Sequence, residues 1–324
     1  MTIDQIRKTF DAFLEEHLVS GQPEGLYGPL HYLMKQGGKR LRPLLLLLAT
    51  GLYDDRFERG LHAALAVELF HNFTLAHDDI MDEAATRRGK PTIYKQYGLP
   101  SGILTGDLAL IYAYEQLVMG LPASLAIRLL EIFKGFAVDV CRGQQLDMEF
   151  ETRERIRMDE YLQMIAWKTA VLPAGALQMG ALIGGASEEE AAILHRFGLQ
   201  LGLAFQLQDD WLDTFGDEQK TGKRKGGDIL QQKKTALVVY VLEYGSPEQA
   251  RHLLEALKSE ELPDDEKIAA VQELLEVSGA KEAIDELQRK YTREALAQLA
   301  SLDLPEERLQ PLKMLAGELM GRKG

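Results

Sequence analysis

A chain of 324 residues that is 46% hydrophobic can bury one large core, and its 50 acidic against 37 basic residues leave a net charge of −13. That balance excludes a nucleic-acid or anionic-membrane surface as a partner held by general electrostatics, so a polyanionic ligand needs a local cationic cluster or a metal. The single cysteine, Cys141, excludes an internal disulfide, reads as a small buried hydrophobe, and points to a reducing cytosol.

The amino terminus, MTIDQIRKTF, shows no apolar signal region. After the turn signal Gly37-Gly38 come Lys39-Arg40-Leu41-Arg42-Pro43, with Lys39 and Arg42 three apart on the next turn. The longest apolar run, Leu44–Ala49, is far shorter than the roughly 20 residues a membrane span needs, so no integral membrane association is expected. Leu61, Leu65, Leu69 and Phe70 then recur at helical steps, and period-two alternation is hard to find anywhere. Leu99-Pro100-Ser101-Gly102, Gly184-Gly185-Ala186-Ser187 and Gly245-Ser246-Pro247 read as helix punctuation. Ser187 before three glutamates, and Ser246-Pro247-Glu248, suit helix starts because acceptor oxygens and acids favour the positive helix end. No linker divides the chain, and the more charged residues 250–324 suit outer helices. The expectation is one all-α domain over residues 1–324, and its long apolar helices favour a homodimer.

Two acidic stripes carry the chemistry. In Asp78-Asp79-Ile80-Met81-Asp82, the outer aspartates are about 40° apart on a helix, and His71 lies about 20° from Asp78 on the same stripe. Asp209-Asp210-Trp211-Leu212-Asp213 repeats the pattern, with Gln206 about 60° from Asp209 and with Gly198 and Gly202 forming a groove below it. One such motif alone reads as a solvated acidic face. Two, each following apolar sequence, make a hard-oxygen site without cysteine or histidine clustering. Mg²⁺ suits it, because it takes few protein carboxylates and completes its shell with water and phosphate oxygens.

Basic clusters complement the acids: Lys39 and Arg42, Arg87-Arg88 just after the first stripe, Lys168-Thr169, and Lys223 and Lys233 in and after the glycine-broken run 222–228. Each alone is an ordinary surface charge. Together they look like clamps for two diphosphates, with arginine supplying bidentate geometry.

These motifs resemble the trans-isoprenyl diphosphate synthases: GGKRLRP, HDDIMD followed by RRGKPT, GQQLD, WKTA, FQLQDDWLD, and GKRKGGD with KKT, in that family's order. The resemblance implies an antiparallel helical bundle around a deep central cavity, usually homodimeric, working with three Mg²⁺ ions. It implies metal ligation by Asp78, Asp82 and Asp209, with Asp79 and Asp213 closing the site or acting behind it. Lys39, Arg42, His71 and Arg88 would hold isopentenyl diphosphate. Arg87, Lys168, Thr169, Gln206, Lys223 and Lys233 would hold the allylic diphosphate, and Arg224 or Lys225 could trade roles with Lys223. Gln144 and Asp147 would support the reacting carbon.

The same resemblance sets product length. Phe73, five residues before Asp78, and Thr74 match the floor of a short-chain synthase making about twenty carbons, with fifteen next. On an ideal helix Phe73 points about 140° away from Asp78, so Phe73 also reads as ordinary core, with Tyr112 or Tyr114 as alternative floors. A class I terpene cyclase or head-to-head synthase would need no second diphosphate clamp, and a non-catalytic partner subunit would be expected to have lost acids from one stripe.

Overall fold

The computed structural model describes residues 2–216 and 225–321. Their architecture is helical: α1 (Ile3–Glu16), α2 (Glu24–Met34), α3 (Leu41–Tyr53), α4 (Leu61–Met81), α5 (Ile93–Tyr97), α6 (Leu99–Val118), α7 (Ala123–Thr152), α8 (Met158–Ile165), α9 (Val171–Gly184) and α10 (Glu188–Phe215). Further helices follow from Gly227–Leu230 to Glu306–Met320. The helix starts read from sequence are present. Ser187 and Glu190 form reciprocal side-chain-to-backbone bonds at 3.2 and 2.8 Å, as do Ser246 and Gln249 at the start of Pro247–Lys258.

The helices gather into two compact units. The first comprises residues 1–134, 175–195 and 304–311, and the second residues 135–174, 196–303 and 312–324. In the first, α4 packs against α3 and α6, burying Leu61, Leu65, Leu69 and Phe70. In the second, Ala236–Tyr244 packs against α8 and Ala280–Ala300, and Tyr161, Leu203, Leu207 and Leu237 share one core.

Three features depart from the sequence reading. Thr86–Arg87 and Lys90–Pro91 pair as a two-stranded antiparallel ribbon, joined by Arg88 and Gly89 at φ of 53° and 73°. Positive φ at both central residues matches the twist of a tight hairpin, and two-residue strands are too short to leave an alternating pattern. Residues Ala166–Ala170 form one π-helical turn between α8 and α9, which a 3.6-residue period cannot foresee. Cys141 is exposed on α7, because it falls on that helix's outer face.

Candidate functional site

In the first unit the Gly37-Gly38 turn delivers two arginines to different tasks. Arg40, with φ at 47°, turns inward to the buried Glu68 at 2.5 Å and to the Met34 carbonyl at 2.6 Å. Arg42, on the first turn of α3, donates from Nη1 to His71 Nε2 at 3.1 Å. Arginine has no acceptor, so His71 accepts at Nε2 and carries its proton on Nδ1. Burial, then Arg42 and Arg88, hold His71 well below the ordinary histidine range. Burial also lowers Arg42 to about 10, and its Nε is buried without a hydrogen-bond partner. A desolvated cation with donor capacity left over is the chemistry of an anion site.

The hairpin after α4 sends its neighbouring arginines in opposite directions. Arg87 reaches back to the acidic stripe, donating to Asp79 at 2.7 Å and Asp78 at 3.5 Å, while Arg88 donates to the Gly37 carbonyl. Asp79 is only 2% exposed, and burial raises its carboxyl against the pull of Arg87. Asp79 thus anchors Arg87, whereas Asp78 lies in the last turn of α4 and Asp82 caps that helix. Lys39 is exposed on the loop before α3.

Behind the stripe, Phe73 packs against Phe70 (5.5 Å between centroids) and edge-on to His77 (4.9 Å). Phe133 and Tyr114 extend the aromatic cluster from Phe70. Thr74 donates its hydroxyl to the His71 carbonyl, and Tyr112 meets Tyr27 hydroxyl to hydroxyl at 3.3 Å.

In the second unit the π turn carries Lys168 and Thr169. A Cβ added at Gly143 would lie 2.2 Å from the Lys168 amide nitrogen, so only glycine lets α7 approach this turn so closely. Lys168 pairs with Asp147 at 2.5 Å, one turn beyond Gln144, whose buried Nε2 has no hydrogen-bond partner. The groove expected at Gly202 is filled by Ala170, which a Cβ there would meet at 2.6 Å.

Thr169 donates to Gln206 Oε1 at 3.4 Å, and Gln206 Nε2 donates to Asp210 Oδ1 at 3.0 Å. Asp210 Oδ2 accepts from Tyr161 and from the Ala236 amide at 2.9 Å. Burial raises the Asp210 carboxyl to about 7, against these donors. Asp209, the neighbouring aspartate, is only partly buried. Asp213 accepts from the Asp228 amide at 2.9 Å, and Lys233 lies 3.7 Å from Asp228. Lys234, by contrast, donates to carbonyls at the end of α7. Lys223 and Arg224 lie outside the described residues, while Lys225 is described and partly buried.

Residues 23–275 match the family model described as polyprenyl synthetase. The chain belongs to the polyprenyl synthetase family. Along its whole length it is similar to the geranylgeranyl diphosphate synthase of Methanosarcina mazei, with 38% identity covering 99% of this chain and 98% of that one. It is also similar to the geranylgeranyl diphosphate synthase of Sulfolobus acidocaldarius, with 40% identity over 78% of this chain and 77% of that one. A crystal structure of a geranylgeranyl pyrophosphate synthase superimposes with a TM-score of 0.94 at 42% identity, covering 100% of both chains. This polyprenyl synthetase is therefore an enzyme, a prenyltransferase with the all-α fold of its relatives. Among its described residues no helix is long and apolar enough to cross a membrane.

Among the described residues no three acidic or histidine side chains are gathered as for a metal ion. Within each stripe the donor type still fits Mg²⁺, since carboxylates are hard oxygen donors, and the second aspartate of each, Asp79 and Asp210, is tied to protein donors. Sequence reasoning missed Asp210, Tyr161 and the Arg40–Glu68 pair. Gln206 and Asp210 stand four apart, which could have flagged that contact, but nothing local points to Tyr161 or Glu68.

Proposed function

We propose that this chain, acting as one catalytic domain over residues 1–324, joins isopentenyl diphosphate head-to-tail to an allylic diphosphate. The main product is geranylgeranyl diphosphate, with farnesyl diphosphate next. The Arg42–His71 pair carries this reading: a desolvated guanidinium is hydrogen-bonded to a neutral imidazole, with His71 seven residues from Asp78 on the same helix. A terpene cyclase has no use for a second diphosphate clamp beside its metal stripe.

Lys39, Arg42, His71 and Arg88 bind isopentenyl diphosphate, and Arg87, Lys168, Gln206 and Lys233 orient the allylic diphosphate, with Lys223 assigned there by motif. The allylic C–O bond breaks with its electron pair leaving on diphosphate. The isopentenyl double bond then forms the new C–C bond, and the proton lost afterwards goes to the departed diphosphate. Asp78, Asp82 and Asp209, assigned by motif, would hold Mg²⁺, which when bound would supply Lewis-acid neutralisation of the leaving group. The oxygens of Thr169 and Gln206 face the cationic carbon without reacting, and Gln144 and Asp147 form a polar pair near it, with Asp147 also bound to Lys168.

A homodimer is supported by Leu104 and Ile111, seven apart on α6 and 54% and 64% exposed, with Ile127 of α7 exposed at 60%. Product analysis of the purified chain with each allylic primer tests the reaction, and prenyl chain growth without a partner protein is expected.

Two further results are expected. Arg42→Ala raises the KM for isopentenyl diphosphate roughly 10- to 150-fold, the loss of about 1.5–3 kcal/mol for one charge-assisted contact. The allylic KM stays within about threefold, and equal effects on both substrates would sink the division of sites. Phe73→Ala lengthens the product by one or more isoprene units, read by chromatography of the dephosphorylated alcohols. An unchanged spectrum with activity retained would move the floor to Tyr112 or Tyr114.

A further inference from the structure

The hydrogen bonds at Asp210 leave the Gln206 amide only one way round. Asp210 is 3% exposed. Its Oδ2 is taken by the Ala236 amide and the Tyr161 hydroxyl, and its Oδ1 faces Gln206 Nε2 at 3.0 Å. With Oδ2 already taken by two donors, Oδ1 is the oxygen left to accept from the amide that faces it. The donating end of that amide is its NH₂, and the oxygen is turned toward Thr169.

We propose that Asp210, held by Tyr161 and the Ala236 amide, is a positioning residue that sets the polarity of the Gln206 amide. It keeps the Gln206 oxygen, and not the NH₂, toward the carbon that becomes cationic. This rests on the reading of Gln206 as an allylic-site residue. An amide oxygen beside a forming cation lowers its energy, whereas the NH₂ end of the same dipole raises it. The device acts only through orientation, since both Asp210 oxygens are already engaged by protein donors.

Asp210→Asn, assayed at pH 8, reverses the arrangement. The Ala236 amide is fixed backbone and still demands an acceptor, so the new NH₂ faces Gln206, whose amide must turn round. The kcat falls about a hundredfold while KM for both diphosphates stays within about threefold. In substrate-free, metal-free protein labelled with side-chain ¹⁵N-glutamine, the Gln206 NH₂ resonances, assigned by their loss in Gln206→Glu, shift in the variant. Tyr161→Phe keeps the carboxylate and the Ala236 bond, so those resonances hold their place and kcat falls less than about tenfold. The double variant Asp210→Asn/Gln206→Glu restores an acceptor on both faces and exceeds Gln206→Glu alone by about tenfold in kcat. That comparison stands even if Asp210→Asn alone does not fold.

A purely structural network predicts instead that Tyr161→Phe and Asp210→Asn act alike and that no rescue occurs. That result, unmoved Gln206 resonances, or kcat within threefold of wild type in Asp210→Asn would overturn the proposal. Because the spectra need no substrate, unmoved resonances are distinct from the absence of prenyl product in the wild type, which would instead remove the reaction itself.

Discussion

Asp78→Ala and Asp209→Ala each lower kcat on the order of a thousandfold or more, because charge neutralisation of the leaving diphosphate is made mainly in the transition state. Neither aspartate is part of a hydrophobic core, so the unfolding midpoint of the unliganded protein moves by only a few degrees, about the effect of 1 kcal/mol. A second readout is independent of turnover. Wild-type protein with Mg²⁺ and an unreactive allylic diphosphate analogue at about 100 Kd gains about 2.7 kcal/mol of stability. The alanine variants lose that gain. Near wild-type turnover in either variant, or full activity in excess chelator, would sink the metal assignment. Asp79→Ala behaves differently, because Asp79 is buried against Arg87 at 2.7 Å and its loss leaves a guanidinium without that partner.

Gly143→Ala costs about 1–3 kcal/mol of stability and about a hundredfold in kcat. Its Cβ would meet Lys168 N at 2.2 Å, Lys168 Cα at 2.6 Å and the Trp167 carbonyl carbon at 2.7 Å. All three are backbone atoms, so no side-chain rotation relieves the clash. The π turn must move off α7, taking Lys168 from Asp147 and Thr169 from Gln206. Gly135→Ala on the same helix is the control. Nothing lies within 4 Å of a Cβ there, so that variant is more stable by about 0.5–1 kcal/mol from helix propensity alone. If Gly143→Ala matched this control in stability and rate, the close approach of α7 would have no bearing on the site.

The aspartate stripes, the helical class and the helix starts at Ser187 and Ser246 were legible because they are local. A turn of 3.6 residues brings Asp78 and Asp82 together whatever surrounds them, and a cap needs only the next three residues. The family was legible for a related reason, since its motifs are short and keep their order along the chain. The sequence by itself therefore determined the fold class, the family and the residues worth testing.

What only the tertiary structure decided is the division of labour between neighbours. Arg40 and Arg42 look alike in sequence, yet Arg40 faces buried Glu68 while Arg42 keeps an unpartnered Nε beside His71. Asp209 and Asp210 look alike too, but Asp210 is closed off by Tyr161, 49 residues away, and by the Ala236 amide. Lys233 and Lys234 divide in the same way, the second being tied to the end of α7. The physical reason is shared: an ionisable group's role depends on its desolvation and on the donors packed around it, and both come from elements distant in the chain.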